Sequence, residues 1–154
     1  MPTISSLTTS LQKAGMRLTP QRMAICKLLI ESDAHPTAAM IYDELRPQFP
    51  SLALATIYNT LDTLVGLGAV NVLGHAGDNH VHYDADMNPH VNLACISCHR
   101  IVDVPSERFS GQIVQDLDNE ISQASGYKLL GARVLYYGLC PECQITPKQA
   151  AITW

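Results

Sequence analysis

Along the first half of the chain, apolar positions recur at helical spacing. Ser5 to Ala14 reads as a short helix stopped at Gly15. Thr19-Pro20 is a start signal, with Thr as N-cap and Pro in the first helical position. Met23, Ile25, Cys26, Leu28, Leu29 and Ile30 follow at broadly the 3.6-residue period of a buried face, which makes Cys26 a core residue and not a reactive thiol. Thr37 can cap a third helix running to about Leu45, closed by Pro47 and Pro50. The fourth helix has the clearest stripe: Leu54, Ile57, Tyr58, Leu61, Leu64, Val65 and, at its margin, Leu67. Its other side carries Ala55, Thr56, Asn59, Thr60 and Thr63, short and uncharged apart from Asp62, before Gly66 and Gly68 end it. A helix with so small and hydrogen-bonding an outer face can lie flat in a DNA major groove.

Past this helix the reading changes to short extended runs. Ala69–Leu73 and Asn79–Asp84 flank Gly74-His75-Ala76-Gly77-Asp78, a hairpin with a glycine-containing loop. Helices followed by a two-stranded hairpin predict a winged helix, an elaboration of helix-turn-helix whose last helix reads DNA. Asp84 to Pro89 is polar and proline-ended, a hinge. Val91–Cys95 and Arg100–Val104 then read as strands, Phe109 to about Ala124 as a helix with Phe109, Ile113, Leu117 and Ile121 along one side, and Tyr127–Leu139 as a long strand. The expected fold class is α+β: a winged-helix domain over 1–84, a hinge at 85–89, a small α/β domain at 90–144 and a tail at 145–154. The second domain is short enough to need a staple or a partner chain.

Two Cys-x-x-Cys pairs, Cys95 with Cys98 and Cys140 with Cys143, stand 41 residues apart. A two-residue gap lets a tight turn aim both sulfurs at one ion, and two such turns complete the tetrahedron of a structural zinc site. Such a site contributes about 10–16 kcal/mol of apparent binding energy to folding. The rival is a thiol–disulfide redox pair, which usually sits at a helix start in a βαβ context; here both pairs follow strands and turn back. Five of the six histidines lie between His75 and His99 with acids interspersed. His80, His82 and Asp84 alternate and would share one face of a strand. His90, Asn92 and Asp103 sit around the first cysteine pair, and His35 stands alone before Pro36. Any one of these histidines, taken alone, reads as an exposed residue of a polar loop; together, nitrogen and oxygen ligands suit Fe(II), Mn(II) or Zn(II).

The net charge of −4 argues against a nucleic-acid binder until it is resolved along the chain. Residues 1–74 hold five basic and five acidic side chains, residues 75–154 five and nine. Within residues 1–30, Lys13, Arg17, Arg22 and Lys27 meet no acid, a local patch of the kind phosphate contact requires, although a solvated helix face would look the same. Met1 to Gly15 has a single lysine and no apolar block, unlike a secretory signal, and no apolar run approaches the ~18 residues of a membrane span. A cytoplasmic location is expected, where five cysteines serve as metal ligands, thiols or core residues sooner than as disulfides.

Together these motifs resemble the ferric uptake regulator superfamily over roughly residues 10–143. The residues that carry the resemblance are Arg17-Leu18-Thr19-Pro20-Gln21-Arg22, His35-Pro36-Thr37-Ala38, Ala55-Thr56-Ile57-Tyr58-Asn59-Thr60-Leu61 and the two cysteine pairs. The resemblance implies a homodimeric repressor of palindromic operator DNA and not an enzyme. It makes residues 90–144 a dimerisation and metal-sensing domain, with structural Zn2+ on the four cysteines and regulatory Fe2+ or Mn2+ between the domains. The regulatory ligands fall on His35, Asp84, His90, Asn92 and Asp103. Asp103, where iron-sensing members have Glu, and Asn59 after Tyr58 are similar to the peroxide-responsive (PerR) branch. That branch implies release of DNA when metal-catalysed oxidation modifies His35 or His90; an iron- or zinc-responsive repressor without peroxide sensing is the alternative. Asn92 stands where relatives have a histidine, a stronger ligand than an amide, and His82 is the candidate substitute. Pro89 and Val91 cannot ligate, so a further metal site of many relatives is expected to be absent. By the same resemblance Ala55, Thr56, Tyr58, Asn59 and Thr60 meet the DNA, with Lys13, Arg17 and Arg22 on its backbone. A non-haem iron enzyme and a zinc-stapled interaction module are the readings from other classes.

Overall fold

Threonine hydroxyls decide where the first three helices begin. In a computed structural model that describes residues 2–88, 90–104, 111–130, 132–146 and 148, these are α1 (Ile4–Lys13), α2 (Pro20–Glu31) and α3 (Ala38–Leu45). Thr3, Thr19 and Thr37 accept from the backbone N–H groups of Ser6, Arg22 and Met40, each satisfying a donor the helix cannot. With α4 (Leu54–Gly66) they enclose a core that includes Leu7, Leu11, Ile25, Leu29, Ile41, Ile57, Leu61 and Leu64. Cys26 belongs to it and is fully buried, which pushes its thiol up to about 11. Met23, Leu54, Tyr58 and Leu67, expected on the apolar faces, are instead exposed. Thr60 makes the opposite exchange. It lies beside Ile57, Leu61 and Leu64 on the inner face, where its hydroxyl donates to the Thr56 carbonyl (2.7 Å) and needs no water.

The hairpin consists of β1 (Asn71–Gly74) and β2 (His82–Asp84), antiparallel with Asn71 opposite Asp84. It is shorter than expected, and His80 falls outside it. All three residues of β2 are buried because the loop before α3 lies against the strand. Thr37 bridges His82, and the Tyr83 N–H donates to the Pro36 carbonyl at 3.1 Å. This pairing carries His35 to the edge of the second domain.

That domain is a sheet of order β4-β3-β5. Its central β3 (Val91–Cys95) runs antiparallel to β4 (Ile101–Val104) and parallel to β5 (Val134–Gly138), with α5 (Gly111–Ser125) in the crossover and α6 (Pro141–Ile145) after the last strand. The long strand expected from Tyr127 is therefore cut to five residues, because β3 offers five partners, from Val91 opposite Val134 to Cys95 opposite Gly138. Phe109, the expected start of the helical stripe, lies outside the described residues, while Leu117 and Ile121 are exposed. Ala76 of the hairpin loop and Leu73 pack against Ala94, Ile101 and Leu135, and Arg133 donates to the Asn71 side chain (3.0 Å) and the Val72 carbonyl (3.2 Å). The hairpin is thus seated on the second sheet. Among the described residues no helix is long and apolar enough to cross a membrane.

Candidate metal centres

Parallel pairing assembles the cysteine cluster. Cys95 ends β3 and Cys140 follows the adjacent β5, so both Cys-x-x-Cys turns start from the same edge of the sheet. The sulfurs of Cys95, Cys98, Cys140 and Cys143 all lie within 4.8 Å of one another. The Cys140 N–H donates to Cys95 Sγ (3.3 Å), and the first turn closes through His99 N–H to the Cys95 carbonyl (2.8 Å). Burial works to raise the Cys95 thiol, but the backbone N–H groups of Cys140, Cys98 and Ser97 hold it down to about 6. Burial and the neighbouring thiols push Cys98 up to about 11. Four sulfurs this close cannot all ionise against one another; a tetrahedral dication removes that conflict, which makes this a zinc-type structural site.

The second cluster draws on both domains. His35 Nε2 lies 2.9 Å from Asp103 Oδ1 and 3.6 Å from Asp84 Oδ1. His90 Nε2 lies 3.1 Å from Asp84 Oδ2 and 3.2 Å from Asp103 Oδ1. His90 Nδ1 donates to the Asn88 carbonyl at 2.7 Å, which leaves the Nε2 lone pair facing the carboxylates. Asn92 is the register partner of Asp103, so its side chain shares that face, buried. Burial raises the Asp84 carboxyl above its ordinary range, and Asp103 adds to the rise, against the Asp86 N–H and the two histidines. Burial pulls His90 down, but the Asn88 carbonyl and the carboxylates of Asp84, Asp103 and Asp86 outweigh it and raise the group.

Among the described residues, the buried side-chain atoms without a hydrogen-bond partner are Arg22 Nε, His35 Nδ1, Asp84 Oδ2, His90 Nε2 and Asn92 Oδ1. All but the first belong to this cluster. Each such atom costs about 1–3 kcal/mol, and one nitrogen or oxygen each of His35, His90 and Asp103 lies within 4.8 Å of the others, a spacing that one cation can bridge. The donors, two imidazoles with carboxylate and amide oxygens, are consistent with a regulatory iron or manganese site. A cavity of about 260 Å³, lined in part by His35, Asp84, Asp103 and Pro2, lies beside it.

His82 is not available to this cluster. Its Nδ1 faces the His35 carbonyl (2.8 Å) and its Nε2 faces Asp78 Oδ2 (2.9 Å), so both ring nitrogens are engaged elsewhere. Asp78 itself escaped the sequence reading; the signal was an aspartate in a glycine turn, a position where carboxylates bind loop N–H groups. Of the residues expected at DNA, Ala55, Tyr58 and Asn59 stand exposed on α4 with Thr56 half-buried, whereas Thr60 faces the core and cannot touch a base. Lys13 and Arg17 are exposed. Arg22 is half-buried and donates to the Arg17 carbonyl at 2.7 Å, bracing that loop.

A helical unit with a hairpin wing, joined to a small sheet that carries a four-cysteine zinc-type cluster and a His/Asp cluster, defines a metal-binding transcriptional regulator. The chain belongs to the Ferric uptake regulator family, whose profile matches residues 13–137. It is 37% identical over 135 residues to the Peroxide-responsive repressor PerR of Staphylococcus epidermidis, covering 88% of this chain and 86% of that one. A solved structure of PerR from Streptococcus pyogenes, described in terms of peroxide sensing and gene regulation, is 35% identical with a TM-score of 0.51 and coverages of 94% and 95%. The ferric uptake regulator of Helicobacter pylori shares the fold at 22% identity, with a TM-score of 0.73 over 93% of this chain and 95% of that one. Homology to the PerR branch is strong, and members of the family are regulators and not enzymes. The sheet domain corresponds to the C-terminal domain of that fold.

Proposed function

We propose that this protein is a metal-dependent repressor that binds palindromic operator DNA as a homodimer and senses peroxide through oxidation of a regulatory histidine. The observation that carries the reading is that His35, from the helical half, and His90 and Asp103, from the sheet half, bring ligand atoms within 4.8 Å of one another, with buried Asp84 3.1 Å from His90 Nε2. His35 comes from the loop before α3, Asp84 from β2, and His90, Asn92 and Asp103 from the second sheet or its entry. Ligands so distributed favour the one arrangement of domains that brings them together, which is the differential binding a switch requires. In that arrangement Ala55, Thr56, Tyr58 and Asn59 of each α4 would enter successive major grooves, with Lys13 and Arg17 on phosphates. Dimerisation is supported by the outer face of the sheet, where Val102, Leu93 and Tyr136 form one exposed cross-strand row. Such a DNA target places the protein in the cytoplasm.

Bound Fe(II) would supply the electron for reductive cleavage of peroxide. His35 and His90 are the imidazoles held at the centre; one of them would take one peroxide oxygen at a ring carbon while the other oxygen leaves as water, and the resulting imidazolone, with both ring nitrogens protonated, would have no lone pair left for a metal. The Mn(II) form should repress and ignore peroxide. A gel-shift assay with palindromic promoter DNA, run with Mn(II) or Fe(II) and with or without peroxide, tests this. Release of the Fe(II) form alone, with oxygen mass on a peptide containing His35 or His90, is expected. An iron form that keeps its DNA and gains no oxygen overturns the peroxide assignment and leaves an iron-responsive repressor.

A further inference from the structure

The loop between β1 and β2 is stitched in place by side chains that the His/Asp cluster does not use. His82 is 2% exposed, with one ring nitrogen on the His35 carbonyl and the other on Asp78 Oδ2. The second oxygen of Asp78 accepts from the Ala76 and His80 N–H groups, each at 3.2 Å. Ala76 in turn offers its carbonyl to His99 Nδ1 (2.8 Å), in the turn that follows Cys98. A Cβ at Gly77 would meet the Ile96 carbonyl oxygen at 3.4 Å, so the loop also packs closely on the cysteine turn. The run of contacts is unbroken from the backbone of His35 to the zinc-type site.

His35 is where this run acquires leverage. Its φ is +47°, the left-handed region that a residue with a side chain adopts only when its surroundings hold it there. The holding contacts are the bond from His82 to its carbonyl and the pairing of Pro36 and Thr37 with β2. Fixing the imidazole of His35 therefore fixes a backbone already tied to the loop.

We infer that Asp78 and His82 are positioning residues that couple the His/Asp cluster to the tip of the hairpin, so that occupancy of the cluster immobilises the wing. The inference rests on reading that cluster as a metal site. Its test is hydrogen-exchange mass spectrometry on the full-length, zinc-loaded protein, with Mn(II) as the probe. In the wild type, Mn(II) should slow exchange tenfold or more in peptides covering 75–82 and 84–92. Asp78→Ala should keep the slowing at 84–92 and lose it at 75–82. Asp78→Asn should restore it, because its Oδ1 can accept from the two loop N–H groups while its Nδ2 donates to His82. Equal zinc content and circular dichroism establish that both variants fold. Loop protection that is missing in the wild type while 84–92 responds, or that survives in Asp78→Ala, overturns the coupling alone. A wild type that slows in neither segment overturns the metal reading with it.

Discussion

Asp84→Asn separates a metal centre from a buried ion pair, because the two readings predict opposite results. The Asp84 side chain is 4% exposed and sits 3.1 Å from His90 Nε2. If its role were to pair with histidines, removing its charge would break a buried pair and cost about 3–5 kcal/mol. The geometry predicts otherwise. Oδ1 of the new amide would still accept from the Asp86 N–H, as Asp84 Oδ1 does at 2.7 Å. Its Nδ2 would donate to the His90 Nε2 lone pair, which is free because Nδ1 is committed to Asn88. The metal-free variant should therefore lie within about 1 kcal/mol of the wild type, on the stabilised side, since no charge is left to desolvate. Burial raises the wild-type carboxyl, so its contribution is fully present below the ordinary carboxylate range and is lost as pH rises through the folded value. The advantage of the variant should thus grow from acid to neutral pH. Mn(II) affinity should fall at least ~100-fold, about 2.7 kcal/mol, because an anionic ligand is gone and a lone pair is occupied. Urea melts of the chelator-treated, zinc-retaining protein and a Mn(II) titration measure both quantities. A variant destabilised by about 3 kcal/mol that binds Mn(II) normally would refute the reasoning.

Cys140→Ser should release zinc and convert the dimer to monomer, read by metal analysis and light scattering, before any DNA is added. Asn59→Ala should weaken operator binding by about 1–3 kcal/mol, whereas Thr60→Val should leave the contact surface intact and change melting more than affinity, as gel shift and calorimetry would show. In the zinc-stripped protein, iodoacetamide should label the four clustered cysteines before Cys26, whose buried thiol, near 11, stays unlabelled until the core opens; peptide mapping decides this.

Local chemistry was the most legible part of the chain. Thr19-Pro20 and Thr37 begin helices because a hydroxyl and a fixed φ act over three residues, and the cysteine pairs announce their site through a spacing of two. Elements whose extent depends on a distant partner were less so. The run from Tyr127 has strand composition throughout, yet only Val134–Gly138 meets β3. Polarity puts Thr60 on the outer face of α4, but the helical period places it between Ile57 and Leu64, and a threonine can satisfy its hydroxyl on its own helix. Alternation placed His82 and Asp84 on one face and could not say that the imidazole was already occupied by Asp78 four residues back. Helix α6 went unread, although Pro141 sits in its first turn.

The parallel pairing of β3 with β5 also sets an order of events during synthesis. Cys98 and Cys140 are 42 positions apart, and a cross-link closing such a loop removes roughly 4 kcal/mol of chain entropy from the unfolded state. The helical domain can form from local contacts as it leaves the ribosome, whereas β3 must wait for a strand that emerges some forty residues later. Until then its edge and two thiols stand open to aggregation and oxidation. Zinc supply at that moment, more than stability afterwards, would set how much of the newly made protein reaches its folded state.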